Sequence, residues 1–208
     1  MGHDPEQGGG HDHGHAPGEG QAHGHQHAHE HKHEQAHGHG HSRAAEEHKS
    51  HAPAQVACFV VTCSDSRDEA RDESGQTIVD VLEAVGHSIA GRKVVKDVPA
   101  EIRAALDEGI ASGARAVVFN GGTGIGRRDT TIEALSPLFE KVLPGFGELF
   151  RYLSFKEIGS SAMMSRATAG TYKGAIVFAL PGSPQAARLA LDALILPELG
   201  HLVRELSR

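Results

Sequence analysis

The sequence predicts an α/β domain with a mostly parallel sheet, preceded by a disordered tail. Three observations carry this expectation. From residue 55 onward, short apolar, β-branched runs alternate with stretches of helical periodicity, the pattern of parallel strands joined by helices. The first 51 residues hold 15 of the 17 histidines and almost no large apolar side chain, so they cannot bury enough surface to offset the entropy of ordering. The remainder ends most of its apolar runs in polar, Gly- or Pro-containing loops, as strands of an open sheet do. The division is therefore a His-rich tail over 1–53 and one domain over 54–208, long enough for a single core.

Taken in order, Gln55–Thr62 reads as the first strand, ending at the polar loop Cys63-Ser64-Asp65-Ser66-Arg67. Ser74-Gly75 opens a helix whose apolar positions are Ile78, Val79, Val81, Leu82 and Val85, with Gly86 as its stop. Ser88–Val95 is the second strand, reaching Lys96 and Asp97. Pro99 suits the first turn of the next helix, whose buried stripe is Ile102, Ala105, Leu106 and Ile110. The run Ala116–Phe119 is a buried strand. A helix is expected over 131–142, a break at Pro144-Gly145-Phe146-Gly147-Glu148, and helix again over 149–158. Ser165–Tyr172 and Ala175–Leu180 are strands around Lys173-Gly174. Pro181-Gly182-Ser183-Pro184 is a rigid polar loop, followed by a helix over 185–207 bent at Pro197. Right-handed crossovers would bring the loops 63–75, 97–99, 120–129 and 181–184 to one sheet edge, where open α/β sheets bind ligands.

Charge and composition narrow the function. The net charge is −7 with histidine neutral, and the first 51 residues carry eight acidic against three basic side chains. No basic stripe points to nucleic acid or an anionic membrane surface. No apolar run reaches the length of a membrane span, and no apolar leader opens the chain. Cys58 and Cys63 lie on opposite faces of one strand, so they are expected as reduced thiols in a cytoplasmic protein. In the tail, His23, His25, His27, His29, His31, His33, His37, His39 and His41 alternate with other residues. Neutral imidazoles on a flexible chain chelate transition metals without imposing a geometry. Nickel, zinc and copper are the candidates, with copper favoured by intrinsic affinity.

The segment Asn120-Gly-Gly-Thr-Gly-Ile-Gly-Arg-Arg-Asp129 joins a strand to a helix N-terminus, an arrangement that receives phosphate. It is neither common phosphate loop. The dinucleotide fingerprint fails at Arg127, and Arg127-Arg128 stands where a P-loop has Lys and Ser or Thr. Two readings stay open for Asp129: a helix N-cap before Thr130, or a metal ligand.

Several motifs occur together and in order. They are Thr62-x-Ser64-Asp65-Ser66-Arg67, Asp72-x-Ser74-Gly75, Gly121-Gly122-Thr123-Gly124, Arg128-Asp129-x-Thr131-x-Glu133-Ala134, Ser165-Arg166-Ala167 and Leu180-Pro181-Gly182-Ser183-Pro184. This set resembles the MoaB/MogA family of molybdenum-cofactor biosynthesis, and Gly145-Phe146-Gly147-Glu148 is closer to its MoaB branch. The resemblance covers nearly all of 55–208; the tail lies outside it. It implies a three-layer α/β/α sandwich, a trimer or hexamer, and the molybdenum-insertion enzyme as a partner. It further implies a molybdopterin adenylyltransferase, in which molybdopterin attacks the α-phosphate of Mg-ATP and pyrophosphate leaves. A non-catalytic molybdopterin or nucleotide binder and a metal store built on the tail are the alternatives.

The family's two critical acidic positions match Asp97 and Asp129, which would act as catalytic residues and Mg²⁺ ligands. The nucleophile is already an anionic phosphate, so catalysis reduces to alignment and charge neutralisation. The amides of Gly121, Gly122, Thr123 and Gly124 are candidates for holding the molybdopterin phosphate. Ser64, Asp65, Ser66, Ser74 and Ser165 complete the binding set. Arg67, Arg128 and Arg166 could pair with phosphates or with surface carboxylates. Pro181, Gly182, Ser183 and Pro184 would wall the nucleotide pocket, with ATP and GTP both open.

Overall fold

A computed structural model describes residues 53–208, and the expected tail histidines lie outside the described residues. Six strands form one sheet: β1 (Ala57–Cys63), β2 (Ser88–Val95), β3 (Ala116–Asn120), β4 (Lys141–Val142), β5 (Thr168–Tyr172) and β6 (Ala175–Leu180), in the spatial order β2-β1-β3-β6-β5-β4. The four strands β2, β1, β3 and β6 run parallel, and antiparallel pairings add β5 and β4. The β5–β6 hairpin turns at Lys173 and Gly174, both at positive φ, as a two-residue hairpin loop requires.

Alternate residues of each strand feed two cores. Cys58, Val60, Val118, Phe178 and Leu180 meet Ile78 and Leu82 of α1 (Glu73–Ala84), Phe150 of α4 (Pro144–Ile158), Ala187 of α5 (Pro184–Ala190) and Val203 of α6 (Leu199–Glu205). Phe59, Val61, Val117, Phe119 and Val177 meet Ile102 and Leu106 of α2 (Pro99–Ala111) and Leu135 of α3 (Thr131–Leu135). The result is the expected three-layer α/β/α sandwich. Cys58 and Cys63 are buried free thiols on opposite faces, each pushed up to about 12 by burial.

Four element boundaries differ from expectation. The helix expected over 131–142 stops at Leu135, tightens into a 3₁₀ turn over Ser136–Leu138 and gives way to β4. Pro137 lacks the amide to continue it. The expected break at 144–148 is instead the start of α4, because Pro144 occupies the first helical turn, where its missing amide costs nothing. The closing helix is interrupted by a π-helical turn over Leu191–Ile195 before Pro197. The expected strand over 165–172 begins only at Thr168, after a 3₁₀ segment Gly159–Met164.

The site's position follows from the topology. The segment after β1 leads to α1 on one face, and that after β3 leads to α3 on the other. Their diverging paths open a crevice at the C-terminal ends of adjacent parallel strands, the switch point where such sheets bind ligands.

Candidate active site

A cleft of about 430 Å³ opens at this switch point, lined by Arg67, Gly121, Gly122, Thr123, Gly124, Asp129, Ser161, Met164, Ser165, Pro181 and Gly182. The glycine loop is its floor. Gly121 has φ +88° and lies so close to the Cys63 carbonyl that a β-carbon would come within 2.3 Å of it. Gly122 has φ +60°, and its β-carbon would fall 1.8 Å from Asp97 Oδ1. Glycine is therefore required at both places. Thr131 fixes the loop from α3: its hydroxyl donates to the Gly121 carbonyl at 2.9 Å and its amide to the Gly122 carbonyl at 3.0 Å.

The loop's donors divide into two groups. The Gly121 amide donates to the Leu180 carbonyl at 3.0 Å, so it cannot also serve a ligand. The amides of Gly122, Thr123 and Gly124 have no hydrogen-bond partner among the described residues. Three consecutive residues with free amides line the cleft, a set suited to holding an anion.

Asp97 follows β2 and leans on Gly122. Its Oδ1 is buried without a hydrogen-bond partner, although its carbonyl accepts from the Thr130 hydroxyl at 3.2 Å. Burial, with the negative charges of Asp65 and Asp129, pushes its carboxyl up to about 6, and Arg128 opposes them. Asp129 does not cap α3; that place belongs to Thr130. Its Oδ2 instead accepts the Gly126 amide at 2.8 Å, turning the carboxylate back over the loop. Asp65 pairs with Arg128 at 2.6 Å, linking the loop after β1 to the glycine loop.

Other expected ligands lie elsewhere. Ser74 is wholly buried; its hydroxyl donates to Asn120 Oδ1 at 2.7 Å and accepts from Arg67. Ser64 Oγ accepts the Ser66 and Arg67 amides and lines a neighbouring groove with Asp65 and Lys96. Ser66 is exposed beside it. Ser183 caps α5 by accepting the Ala186 amide at 3.1 Å, and Pro184 is the first helical residue, so only Pro181 and Gly182 of that loop line the cleft. Arg166 lies behind the loop, bound to Glu133 and the Thr123 carbonyl. Sequence reasoning missed Ser161 and Met164 of the 3₁₀ segment; neither residue type carries a signal before the fold brings it to the cleft.

Residues 59–201 match the family described as "probable molybdopterin binding domain". The chain belongs to this family. Within it, the molybdenum cofactor biosynthesis protein B of Bacillus subtilis is 49% identical over 171 residues, covering 79% of this chain and 98% of the relative. A crystal structure of a molybdenum cofactor biosynthesis protein B is 50% identical with a TM-score of 0.73, covering 76% of this chain and 99% of that one. The tungsten cofactor synthesizing protein MoaB of Pyrococcus furiosus is 41% identical with a TM-score of 0.69, covering 76% of this chain and all of that one. Likeness of this extent places the chain in the MoaB/MogA family.

The carboxylates of this MoaB/MogA domain fit a hard divalent cation. Mg²⁺ takes one or two protein carboxylates and fills its other positions with water and substrate phosphate oxygens. Asp97 supplies an unpartnered buried oxygen, and the negative charge of Asp129 reaches it. No group of three or more His, Cys, Asp or Glu among the described residues forms a metal cage. No described helix is long and apolar enough to cross a membrane.

Proposed function

We propose that this chain acts in molybdenum-cofactor biosynthesis as a molybdopterin adenylyltransferase. The observation that carries the reading is the junction of three unpartnered loop amides with the unpartnered Asp97 Oδ1. The first suits a phosphate and the second suits the cation that accompanies a nucleotide. Names of the MoaB relatives, at about half identity over nearly their whole length, supply the pathway.

In this reading the domain over 54–208 binds molybdopterin and Mg-ATP. The amides of Gly122, Thr123 and Gly124 hold the molybdopterin phosphate. Its oxygen attacks the α-phosphorus of ATP; the new P–O–P link forms as the α–β bond breaks and pyrophosphate departs. No base is needed, because the attacking phosphate is already ionised. Asp97 and Asp129 would hold Mg²⁺, which supplies charge neutralisation at the reacting phosphates. Arg67, fixed by Ser74 and by the Gly182 carbonyl at 3.2 Å, presents positive charge to the same cleft. The setting is the cytoplasm, in a homo-oligomer of three or six chains that passes its product to the molybdenum-insertion enzyme.

Pyrophosphate release is the test. It should require ATP, Mg²⁺ and freshly prepared molybdopterin together. Saturable molybdopterin binding without release would make the protein a carrier. The alternating tail histidines favour a second, separable property, the binding of Ni²⁺, Zn²⁺ or Cu²⁺. Calorimetry on the full chain and on a chain lacking residues 1–51 should show metal stoichiometry falling with the truncation.

A further inference from the structure

Arg166 has the residue type of a phosphate ligand, but its guanidinium is engaged elsewhere. Nη1 and Nη2 donate to the two carboxylate oxygens of Glu133 at 2.6 and 3.2 Å, and Nε donates to the Thr123 carbonyl at 3.0 Å. Arg166 is absent from the cleft lining, whereas Ser165, Thr123 and Gly124 belong to it. The Thr123 carbonyl and the Gly124 amide share one peptide group. In a trans peptide they point in opposite directions. A carbonyl drawn toward Arg166, behind the loop, turns the Gly124 N–H the other way.

We propose that Arg166 is a positioning residue whose bond to the Thr123 carbonyl aims the Gly124 amide into the cleft, with Glu133 locking the guanidinium in place. This rests on the reading of the cleft as a phosphate site. Glu133 belongs to α3, two residues beyond Thr131, which holds the carbonyls of Gly121 and Gly122. The loop is thus fixed at three successive peptides, the first two by Thr131 and the third by the Arg166–Glu133 pair. Side-chain exposures of 32% and 55% for Arg166 and Glu133 mean that the pair adds little to global stability. Its effect falls on the orientation of one peptide.

The two roles open to Arg166 give opposite signs for Glu133→Gln. If Arg166 touched phosphate directly, releasing it from Glu133 would strengthen phosphate binding. If it positions the loop, releasing it weakens binding. The experiment titrates the isotope-labelled full chain with inorganic phosphate, following the Gly122, Thr123 and Gly124 amides by ¹⁵N–¹H spectroscopy and the unfolding midpoint separately. In the wild type all three amides should shift. Arg166→Gln and Arg166→Lys should both weaken phosphate binding about tenfold, because lysine keeps the charge and loses the planar fork. The Gly124 shift should collapse while that of Gly122 persists. Glu133→Gln should weaken binding less, in the same direction, with the unfolding midpoint nearly unchanged in every variant. Wild-type affinity in Arg166→Lys, or tighter binding in Glu133→Gln, would overturn the positioning role. An absence of loop shifts in the wild type would overturn the phosphate reading itself, and this inference with it.

Discussion

Two polar regions lie back to back at the C-terminal ends of β1 and β3, and they differ in how completely their carboxylates are satisfied. Behind the glycine loop, Ser74 donates to Asn120, Asn120 Nδ2 to the Thr62 hydroxyl at 2.8 Å, and Thr62 to Asp72 Oδ2 at 2.7 Å. The Gly75 amide and Arg92 Nη2 then close on the Asp72 carboxylate at 2.9 Å each. At the loop itself, three backbone amides lack protein partners, and so does the buried Asp97 Oδ1, which packs against Gly122 beside the cleft lining rather than in it. Each region is built around one aspartate, Asp72 behind and Asp97 at the loop. Behind the loop both Asp72 carboxylate oxygens are engaged, with Arg92 Nε left buried without a partner; an engaged carboxylate fixes geometry, whereas an unpartnered one is available to a ligand. This distinction, added to the fuller burial of Asp72, separates the two aspartates.

The sharpest test of the rear region is Asp72→Ala. The Asp72 side chain is fully buried and its Arg92 partner is 19% exposed. Burial works against ionisation of Asp72, but the Gly75 amide, the Thr62 hydroxyl and Arg92 outweigh it and hold the carboxyl below its usual range. Removing the carboxylate strands Arg92 and should cost about 3–5 kcal/mol in denaturant unfolding. A depressed carboxyl contributes stability above its unfolded-state value and loses it as pH falls through the folded one. The difference between variant and wild type should therefore shrink in acid. Equal stability at neutral pH would show that the network is not structural.

Asp97→Asn should do the reverse. Pyrophosphate release should fall about 100-fold or more, the scale of a lost electrostatic contact to the reacting centre. The fold should be slightly more stable at neutral pH, since a carboxyl with a raised value destabilises the folded state once pH passes from the unfolded value through the folded one. Loss of stability together with activity would erase the contrast between the two aspartates.

Gly122→Ala probes the boundary between the regions. The new β-carbon would collide with Asp97 Oδ1 and Thr131 Oγ1 at a residue with φ +60°. The expected outcome is a loss of about 1–3 kcal/mol in stability and weaker Mg²⁺ binding by calorimetry. Unchanged Mg²⁺ affinity would remove Asp97 from the cation site.

These contrasts also mark where sequence reading reaches its limit. The parallel strands and their converging loops were legible because apolar β-branched runs between helical periods admit few topologies. The glycine loop was legible because Gly121 and Gly122 serve a local backbone need. Strand β4 was not, since two residues show no period. Ser74 was assigned to the cleft because sequence cannot tell a hydroxyl that faces a ligand from one that faces Asn120. The Asp72–Arg92 pair joins the N-cap of α1 to β2, and only the fold brings it together. For Arg166 the sequence leaves phosphate and a surface carboxylate both open, because its partner Glu133 lies 33 residues away and only the fold brings the two together.

The smallest effect to measure is the pH dependence of the loop region, and it is also the most specific. Asp97, pushed up to about 6 by burial, Asp65 and Asp129, must be ionised to hold Mg²⁺. Protons compete below that value, so Mg²⁺ affinity should rise about tenfold between pH 5 and 7 and level off above. Asp65→Asn removes one of the repelling charges and frees Arg128 from its 2.6 Å pair. Both changes favour the ionised form, so the acid limb should move to lower pH. Arg128→Gln removes the opposing positive charge and should move it to higher pH. Asp72→Asn, in the hydrogen-bonded network behind the loop, should leave the limb where it is. A limb insensitive to Asp65 and Arg128 would mean that the group controlling Mg²⁺ binding is not Asp97.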